Sequence, residues 1–253
     1  MDFFYPVIAY FLVIAVMNQM IIPALPFDTV VCQGLTSFAS AVVIYLFFIY
    51  REQKGDETGQ KAARVCLMPI HADTCRGILL AVVWLACAGI AMNHLIALSG
   101  LQQASSSYQQ VEQAFYSSDL LREILVFGIV TPFAEELLYR YAVFRRLREN
   151  YCAWTAIFGS TLIFAVLHMN IVQIIYAFVL GLLLALLMER YQDMRVPFAG
   201  HAAANIIAVL RGETGFLSWL KQGNPLFVPV TVVLTVVTII LAGCCIKSCK
   251  NKK

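Results

Sequence analysis

Eight mainly apolar stretches follow one another along the chain, separated by short segments that carry Pro, Gly, Asp or charged residues. A bilayer core of about 30 Å takes ~20 residues of α-helix. The pattern therefore predicts eight transmembrane helices, at about residues 3–23, 29–50, 77–98, 118–146, 152–169, 171–189, 196–211 and 226–246. No internal repeat is visible, so we expect an all-α, polytopic helical bundle that forms one integral membrane domain over residues 1–253.

The composition supports a membrane protein. Hydrophobic residues make up 60% of the chain and charged residues only 13%, whereas a soluble domain is nearer ~45–50% apolar and ~25% charged. The first span has no basic residue before it and no small-residue cleavage site after it, which favours a retained helix over a signal peptide. No nucleic-acid motif appears, and the sequence does not indicate an oligomeric state.

The basic residues predict the orientation of the bundle. If the loop 51–76 is cytoplasmic, all of the 18 Lys and Arg except Arg122, Arg211 and Lys221 lie on the cytoplasmic side. Because cytoplasmic loops carry an excess of Lys and Arg, we expect a multi-pass protein of the cell membrane with both termini in the cytoplasm.

The fourth predicted span contains charges that are costly in a bilayer. Glu135 and Glu136 are the acidic residues that lie far from any loop or span end, and Arg140 follows one turn later. A charge at this depth costs at least ~2.5–3.5 kcal/mol on insertion scales, so such residues mark a candidate functional site. Glu136 and Arg140 can meet at i and i+4, while Glu135 points about 100° away. Pro132 is expected to leave the carbonyl of Gly128 without its helical donor.

Two later spans also place polar residues one turn apart. Phe164 and His168 share a face of the fifth span, and His201 and Asn205 share a face of the seventh. Taken singly, each has an ordinary structural explanation, since buried histidines are hydrogen-bonded and an Asn often links helices. Taken together with Glu135, they supply a general base and hydrogen-bond donors for a developing oxyanion. His94, in the third span, is interpreted as a hydrogen-bonded core residue.

The motifs Glu-Glu-x-x-x-Arg, Phe-x-x-x-His and His-x-x-x-Asn, in this order, resemble those of the CPBP family of intramembrane proteases, named for CAAX-prenyl-protein and bacteriocin processing and also called the abortive-infection family. The resemblance covers residues 118–211, the expected catalytic core. It departs from the commonest pattern at Tyr139, where Phe is frequent, and at Tyr141, where a small residue is common; neither change removes a reactive group.

The resemblance implies hydrolysis of a peptide bond in a membrane-associated, prenylated or leader-type peptide. By position, Glu135 would activate a water, His168 would orient that water or share its proton, and His201 and Asn205 would stabilise the oxyanion. Glu136 and Arg140 would give structural support.

Two mechanisms remain open at this stage. Glu135, His168 and His201 could bind zinc, because three protein ligands and a water form a catalytic zinc site. Asn205 favours a site without metal or other cofactor, since an amide is a poor zinc ligand and a good oxyanion donor. Elsewhere, Cys66, His71 and Cys75 share a loop but form only a weak zinc pattern.

Two non-proteolytic functions are also compatible with these residues. The same cavity could bind a peptide without cutting it, as in a membrane scaffold or a bacteriocin-immunity protein. Alternatively, Glu135 and His168 could relay protons or ions, although a single acidic span and the lack of a repeat disfavour a transporter.

The heights of the motifs predict a geometric problem. At ~1.5 Å per residue, Glu135 lies about 18 Å from Leu147 and His168 about 24 Å from Cys152, but His201 lies only about 9 Å from Arg195. The groups therefore converge only if the helices tilt, or if the turn at 145–150 is recessed relative to the turn at Arg195.

Overall fold

Ten helices make up the computed structural model of the protein, which describes residues 4–55, 71–115, 119–168 and 170–250 apart from the side chains of 47–55, 113–115 and 250. In chain order, they are α1 (Phe4–Ala24), α2 (Thr29–Gly55), α3 (Ala72–Ser99), α4 (Leu101–Ala104), α5 (Ser106–Phe115), α6 (120–150), α7 (Ala153–Val166), α8 (Ile171–Tyr191), α9 (Arg195–Glu213) and α10 (Phe227–Lys250). Within these residues there is no strand, so the predicted all-α fold is confirmed.

Five of the helices are long and apolar enough to cross a membrane: α1, α2, α3, α8 and α10. The remaining predicted spans are less apolar or shorter than these five, for identifiable reasons. Helix α6 carries the charged cluster, α9 carries His201, Asn205 and Arg211, and α7 is only 14 residues long. A multi-pass membrane protein follows, and the predicted count of about eight spans is compatible with this arrangement.

Polar contacts between neighbouring helices fix their alternating directions. Arg148 pairs with Glu189 at 3.0 Å, and Thr74 donates a hydrogen bond to Asp193 at 3.1 Å, at what we call the basic end of the bundle. At the other end, named the Asp28 end, Arg122 pairs with Asp28 at 3.1 Å. The chain therefore runs up and down through the bundle, as the short loops require.

Helix α6 forms the centre of the fold and is wound irregularly. Its α-helical parts alternate with two π-helical segments, Ile124–Val130 and Leu137–Phe144. All eight residues of Leu137–Phe144 are buried. Single π turns inside α-helices are often found at functional sites, and here they flank Glu135 and Glu136 on both sides.

A seam of small residues brings α9 close to α3. A Cβ on Gly200 would lie 3.1 Å from the carbonyl oxygen of Ala81 and from Cγ of Leu85, and a Cβ on Gly89 would lie 3.5 Å from Ala204. Small residues allow close backbone approach between membrane helices. This contact fixes the position of α9, and hence of His201 and Asn205.

Some sequence predictions concern residues outside the described part of the chain or its described side chains. These are the Cys66 member of the weak zinc pattern and the basic residues Arg51, Lys54, Lys61, Arg64, Lys250, Lys252 and Lys253.

Candidate active site

The Glu136–Arg140 pair forms as the sequence predicts. Arg140 Nε donates to Glu136 Oε2 at 3.1 Å, and both side chains are 0% exposed. The guanidinium also lies over the ring of Phe164, 5.2 Å from its centroid. A wholly buried ion pair requires each charge to keep its partner, since removing one member leaves the other uncompensated.

Glu136 has a second partner that the sequence analysis does not predict. Its Oε1 lies 3.0 Å from His201 Nδ1, so the carboxylate bridges Arg140 and the histidine. Because a carboxylate oxygen accepts, Nδ1 carries the proton, which fixes the orientation of the ring. The contacts of Glu136 therefore extend beyond the Arg140 pair that the sequence predicts.

The other ring nitrogen of His201 faces Glu135. Nε2 lies 3.6 Å from Glu135 Oε2, and the Glu135 side chain is 15% exposed, against 0% for Glu136. The two adjacent carboxylates thus have different surroundings. Glu136 is buried between Arg140 and His201, whereas Glu135 reaches the cavity described below.

His168 is also held in a defined orientation. Helix α7 ends at Val166, two residues earlier than His168, and the backbone N–H of His168 donates to the carbonyl of Ala165 at 3.1 Å. The ring stays on the predicted face because Nδ1 donates to the carbonyl of Phe164 at 2.8 Å. A carbonyl can only accept, so in the neutral ring Nε2 is the acceptor.

Phe164 connects these groups through its aromatic ring. The ring meets His168 at 4.9 Å, Tyr139 at 5.0 Å and His201 at 5.9 Å between centroids, each close to perpendicular. Such edge-to-face contacts orient neighbouring rings. Phe164 is therefore the packing partner that holds both histidines.

Asn205 compensates for the proline in α6. The N–H of Thr131 bonds to the carbonyl of Val126, five residues back, so in this π register the missing N–H of Pro132 belongs to the carbonyl of Phe127 rather than to that of Gly128. Asn205 Nδ2 donates to this Phe127 carbonyl at 2.9 Å. One of its two amide hydrogens is used in this way, and the other is available to a ligand.

Part of the expected difference in height between the motifs is removed within α6. The π segment Leu137–Phe144 lies between Glu135 and the basic end, and a wider helical turn advances less per residue than an α turn. The pairing of Arg148 with Glu189 also places the end of α6 beside the last turns of α8. The site thus forms although straight α-helices would separate its members.

All four predicted catalytic residues line one cavity of about 340 Å³. Among the described residues, Glu135 and His201 face each other directly, while His168 and Asn205 make their hydrogen bonds to backbone carbonyls. The cavity extends from Glu135 towards the Asp28 end, where Gln33, Asn93 and Gln173 also line it. Its size falls within the ~300–1,000 Å³ range of ligand pockets.

A zinc site requires three or four donor side chains that converge on one point. Within the described ranges, no three His, Cys, Asp or Glu side chains are arranged to hold one. In both histidines, Nδ1 is already hydrogen-bonded, so only Nε2 could bind a metal. The Nε2 atom of His201 faces Glu135. The side chains as arranged do not form a three-ligand zinc site.

Two features of this region were not predicted from the sequence. The contact of Glu136 with His201 joins positions 65 residues apart, and a single sequence carries no signal for it. The bond from Asn205 to Phe127 could have been found, because a proline in a buried helix leaves a carbonyl that another polar group must satisfy.

Comparisons with known proteins give one family match and one curated relative. Residues 117–207 match the family model for "Type II CAAX prenyl endopeptidase Rce1-like". Over 123 residues, the chain is 25% identical to the "Putative membrane peptidase YdiL" of Bacillus subtilis (strain 168). The aligned segment makes up 49% of this chain and 50% of that protein. The chain thus spans about half the length of this curated relative. No solved structure gives a significant match. The matched region contains all three motifs, so over residues 117–207 the chain is similar to the CAAX prenyl endopeptidases that this family model describes.

Proposed function

We propose that this protein is an intramembrane endopeptidase that hydrolyses a peptide bond with a water activated by Glu135. The observation that carries the proposal is the pairing of Glu135 with His201, at 3.6 Å, in a cavity that His168 and Asn205 also line. The family match supports a peptidase of the CAAX type. The residues acting and the substrate are our own inference.

Glu135 is suited to act as the general base. Its carboxylate is the one of the adjacent pair that reaches the cavity, because Glu136 is engaged by Arg140 and His201. His168 would help by accepting a hydrogen bond from the same water through Nε2, since its Nδ1 is held by Phe164. A positioned base of this kind contributes typically about 10²–10⁴-fold to a rate.

His201 and Asn205 would stabilise the oxyanion. Asn205 has a second amide hydrogen beyond the one donated to Phe127. His201 can donate through Nε2 only when both ring nitrogens are protonated, and Glu136 and Glu135 then lie one on each side of the imidazolium. With Arg140 and that imidazolium, the two carboxylates of the cluster are balanced by two positive charges.

The proton would return through Glu135. After the water attacks the carbonyl carbon, Glu135 holds the proton of that water and passes it to the leaving nitrogen, so the C–N bond breaks and a carboxyl and an amine terminus form. No step requires a group beyond this chain, the peptide and water. We favour this mechanism without metal because the donor set does not assemble three ligands.

The experiment compares the full-length chain in lipid nanodiscs with Glu135→Ala, His168→Ala and His201→Ala. The probe is an internally quenched, end-capped peptide of Ala, Val, Ser and Leu. We expect each substitution to abolish cleavage while the protein still inserts and elutes normally. Full activity in all three variants would refute the proposal, and binding of the probe without any cleavage by the wild type would instead favour a peptide-binding scaffold.

A further inference from the structure

The half of the cavity nearer the Asp28 end carries polar side chains that the proposed chemistry does not use. Four of them are Gln33 on α2, Asn93 on α3, and Gln173 and Tyr176 on α8. Gln33 and Asn93 lie outside residues 117–207, so the family match does not include them. All four side chains are half-buried in the bundle.

Helix α8 presents a continuous strip to the cavity. Gln173, Tyr176, Ala177 and Leu180 all line it, and their i, i+3, i+4 and i+7 spacing defines one helical face. The strip begins in the first turn of α8, which Asn170 caps by accepting from the N–H of Val172 at 3.0 Å. It ends beside Gly181, where a Cβ would lie 3.0 Å from Phe164. Since Phe164 contacts both histidines, the strip leads from the Asp28 end to the reacting groups.

Tyr176 places a polar atom at the middle of this strip. Its hydroxyl is fully buried, and among the described residues it has no hydrogen-bond partner. A Cβ on Gly89 would lie 3.0 Å from this oxygen, so the glycine leaves room for the phenol beside α3. Buried hydroxyl groups are normally hydrogen-bonded, and a ligand in the cavity would supply the missing partner.

The chemistry of the strip suits a peptide main chain. Amide side chains offer donors and acceptors without charge, and a phenol offers both in one group. An extended peptide presents alternating N–H and C=O groups that such side chains can bind, as main-chain hydrogen bonds do in known peptide-recognition modes. The apolar members Ala177 and Leu180 would contact uncharged side chains.

We infer that Gln33, Asn93, Gln173 and Tyr176 form a subsite that binds the main chain of an extended, uncharged polypeptide segment on one side of the scissile bond. This inference rests on the proposed function for the identity of the segment as substrate. The subsite itself is a binding site, so it is measured without catalysis.

The experiment measures binding to the full-length Glu135→Gln protein in nanodiscs. The probe is the same Ala, Val, Ser and Leu peptide, end-capped and labelled with fluorescein, and fluorescence anisotropy reports its Kd. We expect Tyr176→Phe and Gln173→Leu each to raise Kd about 3- to 10-fold, because each removes a hydrogen bond to the ligand. Tyr151→Phe, at an exposed tyrosine of the basic end, is the matched control and should leave Kd unchanged.

A modified probe identifies the group that Tyr176 binds. Peptides in which single amides are replaced by esters lack one N–H each. At the position facing Tyr176, the replacement should weaken binding to the protein with Tyr176 and have little further effect in Tyr176→Phe. An unmeasurable affinity for the uncharged peptide, or an unchanged Kd in both subsite variants, would overturn the inference. If wild-type protein fails to cleave a probe whose binding depends on Tyr176, the subsite stands and the proposed hydrolysis fails.

Discussion

The contact between Glu136 and His201 allows the structural and positioning roles of Glu136 to be separated. Replacing Glu136 by Leu alone leaves Arg140 buried without an ion-pair partner among the described residues, because its other two terminal nitrogens make no hydrogen bond. Breaking a buried pair in this way typically costs about 3–5 kcal/mol. Replacing both members, as in Glu136→Leu/Arg140→Met, removes both charges with similar side-chain volume and is often neutral or stabilising.

Activity should not follow stability in this series. In the double variant His201 still lacks the carboxylate that accepts from Nδ1 at 3.0 Å, so its orientation and protonation are no longer fixed. We expect the thermal unfolding temperature to recover while kcat/KM for the quenched peptide stays about 10²–10⁴-fold below the wild-type value.

The assay is thermal unfolding in nanodiscs alongside peptide cleavage at the same temperature. Arg122→Gln is the matched control, since it removes the partner of Asp28 in a pair whose side chains are 57% and 37% exposed; we expect a cost within about 1 kcal/mol and normal cleavage. Recovery of both stability and activity in the double variant would show that Glu136 only supports the structure, and would refute its role in holding His201.

Three further predictions concern the metal, a second polar cluster and the orientation. A strong chelator should leave cleavage unchanged; inactivation that zinc reverses would refute the metal-free mechanism. Thr231→Val should lower stability by about 1–3 kcal/mol, measured by thermal unfolding, because it removes the oxygen 2.8 Å from His94 Nδ1; an unchanged unfolding temperature would contradict this. The exposed Cys75 and Cys152 at the basic end should react with a membrane-impermeant maleimide only after cells are permeabilised, whereas Ser105→Cys should react in intact cells; the reverse pattern would invert the predicted topology.

The sequence predicted the elements of this fold well, because bilayer-length apolar runs and the i, i+4 rule are local signals. A helix lies at the position of each of the eight predicted spans, five of these helices are long and apolar enough to cross a membrane, and Glu136 meets Arg140. The prediction that His94 is a hydrogen-bonded core residue is also confirmed, because its side chain is buried and both ring nitrogens have partners. Arg211 donates to His94 Nε2 at 3.1 Å, and His94 Nδ1 donates to Thr231.

The remaining features depend on contacts between distant segments. The heights of Glu135, His168 and His201 could not be reconciled from sequence, since hydropathy does not distinguish π from α winding in α6. The bridge from Glu136 to His201 depends on how closely α9 approaches α6, where a Cβ on Gly128 would lie 2.5 Å from the side chain of Ile206. Likewise, the sequence does not show that Gln173 and Tyr176 line the cavity, because this depends on which face of α8 the neighbouring helices leave open.

The central claim is that Glu135 activates water for peptide-bond hydrolysis, and it is tested most directly in native membranes. Cells expressing wild-type protein or Glu135→Gln at equal inserted levels are compared by mass spectrometry of new peptide N-termini in the membrane fraction. Glutamine keeps the size of the side chain and removes the base, so we expect a defined set of N-termini that appears with the wild type and is lost with Glu135→Gln. Identical sets of N-termini in the two samples, with both proteins correctly inserted, would contradict the account.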